Sequence, residues 1–241
     1  VPTVLTQCSH TAAMATPPKA RVVVLGAGWW TQGWHLPHLR RHADAEIIAV
    51  VDPCATPRSA ISTLISLKEL GEKYGCATFE SFDACLDSGL EFDGVIVCTS
   101  HASHSQLGAQ ALQHGKHVLM EKPMTTDVSE AIALRNASKQ SSCFFAVNNT
   151  ASWRTQAVTA RRWVRDDQLI GKVEHVACAM HSPLLWLFDD PANVGWTRPT
   201  GSMRGNGFAW GQLSHLLAWV LQITGLRPVD VACSMVFSTR S

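Results

Sequence analysis

Charge is scarce in this chain. Charged residues make up only 16% of 241 positions and the formal net charge is +1, so there is no basic stripe for nucleic acid and no acidic tail. No run of 18 apolar residues occurs, so the sequence has no ordinary membrane-spanning helix. Cys8, Cys54, Cys76, Cys85, Cys98, Cys143, Cys178 and Cys233 form no Cys-x-x-Cys pair. They read as free thiols in a reducing compartment, the cytoplasm. No internal repeat is visible. Tyrosine occurs 1 time against 9 tryptophans, and the tryptophans gather after residue 150 or in a glycine-rich turn, where large rings can wall a pocket. Residues 1–18 hold no Lys or Arg, unlike a signal or transit peptide; they read as a disordered lead-in, with Met14 a candidate start. What the chain does have is apolar material, 46% of its residues, sufficient for one large or two small domains.

The organising stretch runs from Arg21 to His35. Val22 to Leu25 is an uninterrupted apolar run, the pattern of a strand buried on both faces of a parallel sheet. It ends at Gly26-Ala27-Gly28, where missing side chains permit a tight turn and let backbone approach an anion held at a helix N-terminus, as a dinucleotide pyrophosphate is held. The third glycine of that fingerprint is replaced by Thr31, and Gly33 comes two residues late. Asp52 closes a second apolar run, Ile47 to Val51, and stands 24 residues beyond Gly28. That is near the spacing of the acid that binds an adenosine ribose. A carboxylate there accepts from both ribose hydroxyls and repels a 2'-phosphate, which favours NAD over NADP. With Pro53 it also suits a simple turn.

Further along, apolar runs at Cys76–Phe79, Phe92–Cys98, Lys116–Met120 and Cys143–Val147 alternate with helical stretches at Trp34–His42, Thr56–Tyr74, Ser81–Asp87, His101–His114 and 127–140. Six alternations of strand and helix specify a doubly wound parallel sheet over residues 19–149. Beyond Asn149 the rhythm changes. Trp153–Asp167 is expected to be helical with its arginines, Arg154 among them, toward solvent. Lys172–Met180 and Val229–Phe237 are expected as strands of an open antiparallel sheet, and 181–206 as a long loop. Trp210–Ile223 is expected as a helix whose apolar stripe is Leu213, Leu216, Leu217, Val220 and Leu221.

Four groups could do chemistry. Glu121-Lys122-Pro123 follows the fifth strand, on the edge where open parallel sheets bind ligands. An ammonium there can stabilise negative charge developing on a substrate oxygen, or it can be a surface lysine before a turn. His215 lies off the leucine stripe, on the face shared by Gly211, Ala218 and Gln222, and can take a proton near neutral pH or serve only in packing. Gln212 can orient a substrate hydroxyl or meet solvent. His101 and His104, after Thr99 and Ser100, stand three apart on the same edge. They find no third ligand or acidic partner for a metal, so cofactor contact or helix capping is the better reading and no metal is expected.

Together Gly26-Ala27-Gly28 with His35-Leu36-Pro37, Asp52, the run Val97 to His104, the segment Gly115-Lys116-His117-Val118-Leu119-Met120-Glu121-Lys122-Pro123-Met124, and His215 resemble the Gfo/Idh/MocA oxidoreductases. The resemblance implies an N-terminal Rossmann domain binding NAD or NADP through Gly26, Gly28, Trp29, Trp30, Asp52, Thr99, Ser100, His101, His104, Glu121 and Lys122. It implies a second α+β domain, here 150–241, with an open antiparallel sheet that holds the substrate pocket and can carry a homo-oligomer contact. Lys122 matches the family's active-site lysine and His215 its catalytic histidine, with Gln212 beside the substrate. A sugar, polyol or related secondary alcohol is the implied substrate. Two departures stand out. Where many relatives carry an aspartate four residues before the histidine, this chain has Gly211, and its second half is short, as in a partial chain. They motivate a second reading, a dinucleotide-binding sensor or interaction protein with weakened catalysis.

Overall fold

The structure is a computed structural model that describes residues 18–59, 61–181 and 209–234. The lead-in and the long loop read from the sequence lie outside the described residues, apart from Pro18 and His181. Six strands, β1 (Ala20–Leu25), β2 (Ala45–Val51), β3 (Ala77–Phe79), β4 (Gly94–Val97), β5 (His117–Glu121) and β6 (Phe145–Asn148), form one sheet in the order β3-β2-β1-β4-β5-β6. Every pairing is parallel. That order reverses direction between β1 and β4, the switch point beside which open α/β sheets bind ligands.

The core follows from strand periodicity. Alternate β1 residues pack on opposite faces: Val23 and Leu25 join Val51, Val97 and Met120 on one side, while Val24 joins Leu36, Val50, Leu70 and Ile96 on the other. The helices covering these faces include α1 (Leu36–Arg41), α2 (Leu67–Tyr74), α3 (Phe82–Asp87), α4 (His104–Gln113) and α5 (Val128–Gln140). Both faces are thus sealed, which is why the strands read as continuous apolar runs rather than alternating ones.

Three expectations change. The helix read over Thr56–Tyr74 is α2 alone; its start is set by a capping box in which Ser66 and Glu69 bond each other's backbone N–H, while 56–59 and 61–66 are irregular. The open antiparallel sheet is not found among the described residues: 172–180 and 229–234 carry no strand pairing, because neither run finds a ladder partner there. The late helix is α7 (Ser214–Thr224), entered through a π-helical turn, Ala209–Leu213. Its Leu213, Leu217 and Leu221 stay exposed, and the opposite face packs inward, with the Gln222 amide donating to the Ser152 carbonyl at 3.2 Å. The inward neighbours are a short turn, Thr150–Trp153, and α6 (Thr155–Arg161).

Candidate active site

The turn after β1 is shaped by glycine where no other residue fits. Gly26 has φ +100°, and a Cβ there would sit 2.3 Å from the Cys98 carbonyl oxygen, so the close approach of β1 and β4 at the switch point requires its absence. A Cβ at Gly28 would meet nothing within 4 Å; Gly28 borders open cavity. Thr31, at the third-glycine position, is wholly buried. Helix follows at once, the Gln32 N–H donating to the Gly28 carbonyl at 3.0 Å. The turn is held from outside by Asp52, whose Oδ2 accepts from the Ala27 N–H at 2.7 Å and whose Oδ1 accepts from the Cys54 N–H at 2.8 Å. Gln32 clamps it from the other side, its amide donating to Ala27 O and Ile65 O and accepting from Ile65 N–H. Nothing in the sequence marked Gln32, since its partners are set by the fold.

At the end of β5, Glu121 is a buried hub. Its Oε1 accepts from His35 Nε2 at 2.8 Å, Trp30 Nε1 at 3.0 Å and Asn148 Nδ2 at 2.7 Å, and Oε2 faces the Lys122 N–H at 3.2 Å. Burial alone would raise its pKa, yet the His35, Asn148 and Trp30 bonds outweigh that and hold the carboxyl below its ordinary value. Trp30 packs edge-on against Trp29, with ring centres 5.2 Å apart. Glu121 therefore fixes the tryptophan wall and the start of the Lys122 segment rather than offering a free acceptor.

The Lys122 Nζ donates to the Gly211 carbonyl at 2.9 Å, tying β5 to the helical segment that carries His215. Burial lowers the Lys122 pKa against the opposing pull of Glu121. Four residues after Gly211, His215 has its Nδ1 buried with no hydrogen-bond partner, on a helix where the residue one turn back carries no carboxylate. Its pKa falls to about 4, through burial first and then the charge of Lys122, with Arg154 adding to the same effect.

Gly26, Gly28, Trp29, Trp30, Asp52, Glu121, Lys122 and His215, with Thr99, Ser100, His101, His104 and Gln212, border one cavity of about 1160 Å³, a volume suited to a large ligand. Each residue read from the sequence as a cofactor or substrate contact lies on its wall. They are not equally available. His104 is wholly buried, its ring nitrogens 2.9 Å from the Pro123 carbonyl and 3.3 Å from that of Thr99. Burial keeps that ring neutral by lowering its pKa, so it bolts the loop after β4 to the loop after β5. Among the described residues no cluster of potential metal ligands occurs. Among the cavity residues unmarked in the sequence are Arg58, beyond Asp52, and Arg154, which is exposed as expected and also borders the cavity. Only the approach of the turn after β6 to α7 brings Arg154 there.

The glycine cradle at a sheet switch point, with open space above Gly28 and a helix starting beside it, fits a dinucleotide pyrophosphate and defines a Rossmann-type nucleotide-binding protein. A family model described as "Oxidoreductase family, NAD-binding Rossmann fold" (GFO_IDH_MocA) matches residues 20–149. The chain belongs to this Gfo/Idh/MocA family. It is 26% identical over 149 residues to inositol 2-dehydrogenase of Rhizobium meliloti, covering 62% of this chain and 42% of that one. With dTDP-3,4-didehydro-2,6-dideoxy-alpha-D-glucose 3-reductase of Streptomyces violaceoruber it shares 31% over 112 residues, 46% of this chain and 32% of the relative. The solved structure of aldose-aldose oxidoreductase from Caulobacter crescentus has the same fold, with TM-score 0.66, 24% identity, and coverage of 88% and 59%. The chain spans about half the length of the curated relatives it matches over most of its own length. Nothing in these likenesses favours the sensor reading.

Proposed function

We propose that the chain transfers a hydride between a nicotinamide cofactor and the carbinol carbon of a sugar, polyol or related secondary alcohol. The observation that carries this is the bond from Lys122 Nζ to the Gly211 carbonyl, because the amine that follows β5 and the imidazole of α7 border one cavity with the Gly26 turn. Gly28 would leave room for the pyrophosphate above the turn that Gly26 shapes, Trp29 and Trp30 would flank it, Asp52 would meet the adenosine ribose, and Thr99, Ser100 and His101 line the same cavity as Lys122. The nicotinamide, when bound, accepts or returns the hydride. In oxidation His215 takes the hydroxyl proton as the C–H hydride leaves, and Lys122 steadies the charge gathering on the oxygen that becomes a carbonyl. The carboxylate of Asp52 favours NAD over NADP by repelling a 2'-phosphate.

Support comes also from the family and from relatives named as an inositol dehydrogenase and a deoxysugar reductase. The seven free thiols at described positions suit a reducing, cytoplasmic setting, and no helix among the described residues is long and apolar enough to cross a membrane. The test is absorbance of the reduced nicotinamide on mixing the protein with NAD or NADP and a panel of polyols and sugars. Turnover is expected with NAD ahead of NADP. Lys122→Ala and His215→Ala are each expected to lower kcat by about 10²- to 10⁴-fold; rates unchanged in both variants would sink the assignment.

A further inference from the structure

Ala27 sits between the two glycines of the turn after β1, and the peptide groups on both sides of it are pinned. Its N–H donates to Asp52 Oδ2 at 2.7 Å, and its carbonyl accepts from Gln32 Nε2 at 2.9 Å. The Gln32 amide is in turn held in one orientation by a single backbone residue. Ile65 donates its N–H to Gln32 Oε1 at 3.0 Å, and the Ile65 carbonyl accepts from Nε2 at 2.9 Å. Both hydrogens of that amide and its oxygen are thus committed to backbone groups. Ile65 is a firm template, because Ser66 after it opens the capping box of α2 and the Leu67 N–H closes back on the Ala55 carbonyl at 2.9 Å. The Gln32 backbone belongs to the same turn, its N–H donating to the Gly28 carbonyl at 3.0 Å.

A trans peptide unit is planar, with its C=O and the following N–H pointing in opposite directions. The Ala27–Gly28 unit is trans, so fastening the Ala27 carbonyl to Gln32 turns the Gly28 N–H to the other side. Gly28 borders the cavity, and a Cβ there would meet nothing within 4 Å. We propose, resting on the dinucleotide-binding part of the reading above, that Gln32 is a positioning residue for the cofactor: it holds the Gly28 N–H as a donor to the pyrophosphate without touching that group itself. Glycines on either side leave the backbone around Ala27 free to swing, so a turn of this composition needs a fastening from outside. Without Gln32 the Ala27–Gly28 unit can rotate, and each rotation takes a donor away from the anion at the helix start. The loss falls on the phosphate-bearing part of the ligand rather than on the sugar.

The test compares the full chain with two variants. Gln32→Met keeps an unbranched side chain of similar length and removes the three side-chain bonds, and Gln32→Glu turns a carboxylate oxygen toward the Ala27 and Ile65 carbonyls. NADH is titrated by its nicotinamide fluorescence, with ADP-ribose and adenosine as competitors. In both variants the Kd of NADH and of ADP-ribose is expected to rise at least tenfold, while that of adenosine, which has no phosphate, stays within twofold. With saturating NAD, kcat is expected within threefold of the parent and KM for the polyol or sugar unchanged, a split that a general loss of structure would not give. NADH binding equal to the parent's in both variants, or adenosine weakened as much as NADH, would overturn the assignment. The expected binding pattern with no hydride transfer to any polyol or sugar would overturn the proposed reaction and leave Gln32 in this role.

Discussion

Gly26 and Gly28 carry the same side chain for different reasons, and substitution separates them. At Gly26 an added methyl group meets the Cys98 carbonyl at 2.3 Å with φ at +100°, so Gly26→Ala must distort either the turn or the end of β4. A loss of about 2–4 kcal/mol in stability is expected from strain and overpacking, read in a denaturant melt. At Gly28 the methyl group meets no protein atom, so Gly28→Ala is expected to melt like the parent and to bind NADH at least tenfold more weakly. If both variants melt alike and bind alike, the two roles are wrong. His215 gives a second residue-scale prediction. With its pKa near 4, the imidazole is neutral throughout the neutral range, and log kcat/KM is expected to rise with pH only up to about 4 and then level. Gly211→Asp sets a carboxylate one turn before the ring, favours its charged form and is expected to move that limb upward by about one unit. A limb that does not move would show that residue 211 does not support the base.

At the scale of elements, the difference between what was read and what formed lies at helix beginnings and lone strands. Ser66-Leu67-Lys68-Glu69 has the spacing of a capping box, a signal that the expected start at Thr56 passes over. The competing facts are long-range: Gln32 holds the Ile65 backbone in a non-helical turn, so the segment before Ser66 serves the glycine cradle. Ser66→Ala removes the bond accepted from the Glu69 N–H and is expected to cost about 1 kcal/mol, measured by urea titration. No change would mean that the start of α2 is held by packing of Leu67 and Leu70 alone. Of the strands expected at Lys172–Met180 and Val229–Phe237, the described parts, 172–180 and 229–234, form no ladder, and strand pairing is a property that a single segment does not encode.

For the molecule as a whole, acid is the expected weakness, and two groups, one buried and one partly buried, act in the same direction. Glu121 has its folded pKa held below the ordinary value, so its contribution is present above the unfolded carboxylate pKa and is lost as pH falls through that range. His215 has its folded pKa lowered from 6.5 to about 4. Between those values the unfolded chain binds a proton that the folded one refuses, so stability declines as pH falls across that window. The histidine part is on the order of 1–2 kcal/mol once solvent screening of a partly buried ring is allowed for. Urea midpoints at pH 7 and pH 4.5 are expected to drop less for His215→Gln than for the parent; an equal drop would remove His215 from the account.

The sequence by itself determined the six-stranded parallel layer, because strands buried on both faces must be apolar throughout and the turns between them carry their own glycine and capping signals. It also determined the groups of the candidate site, since a glycine turn, an acid after the second strand and a lysine after the fifth fall on one edge of any doubly wound sheet. Tertiary structure decided how those groups are engaged. It spent the Glu121 carboxylate on Trp30, His35 and Asn148, tied Lys122 to the Gly211 carbonyl, buried His104 between two loops and set Arg154 at the cavity's border. Hydrogen bonds across 70 or more residues, such as that from Lys122 to Gly211, depend on where whole elements come to rest, and no local pattern in the chain records that.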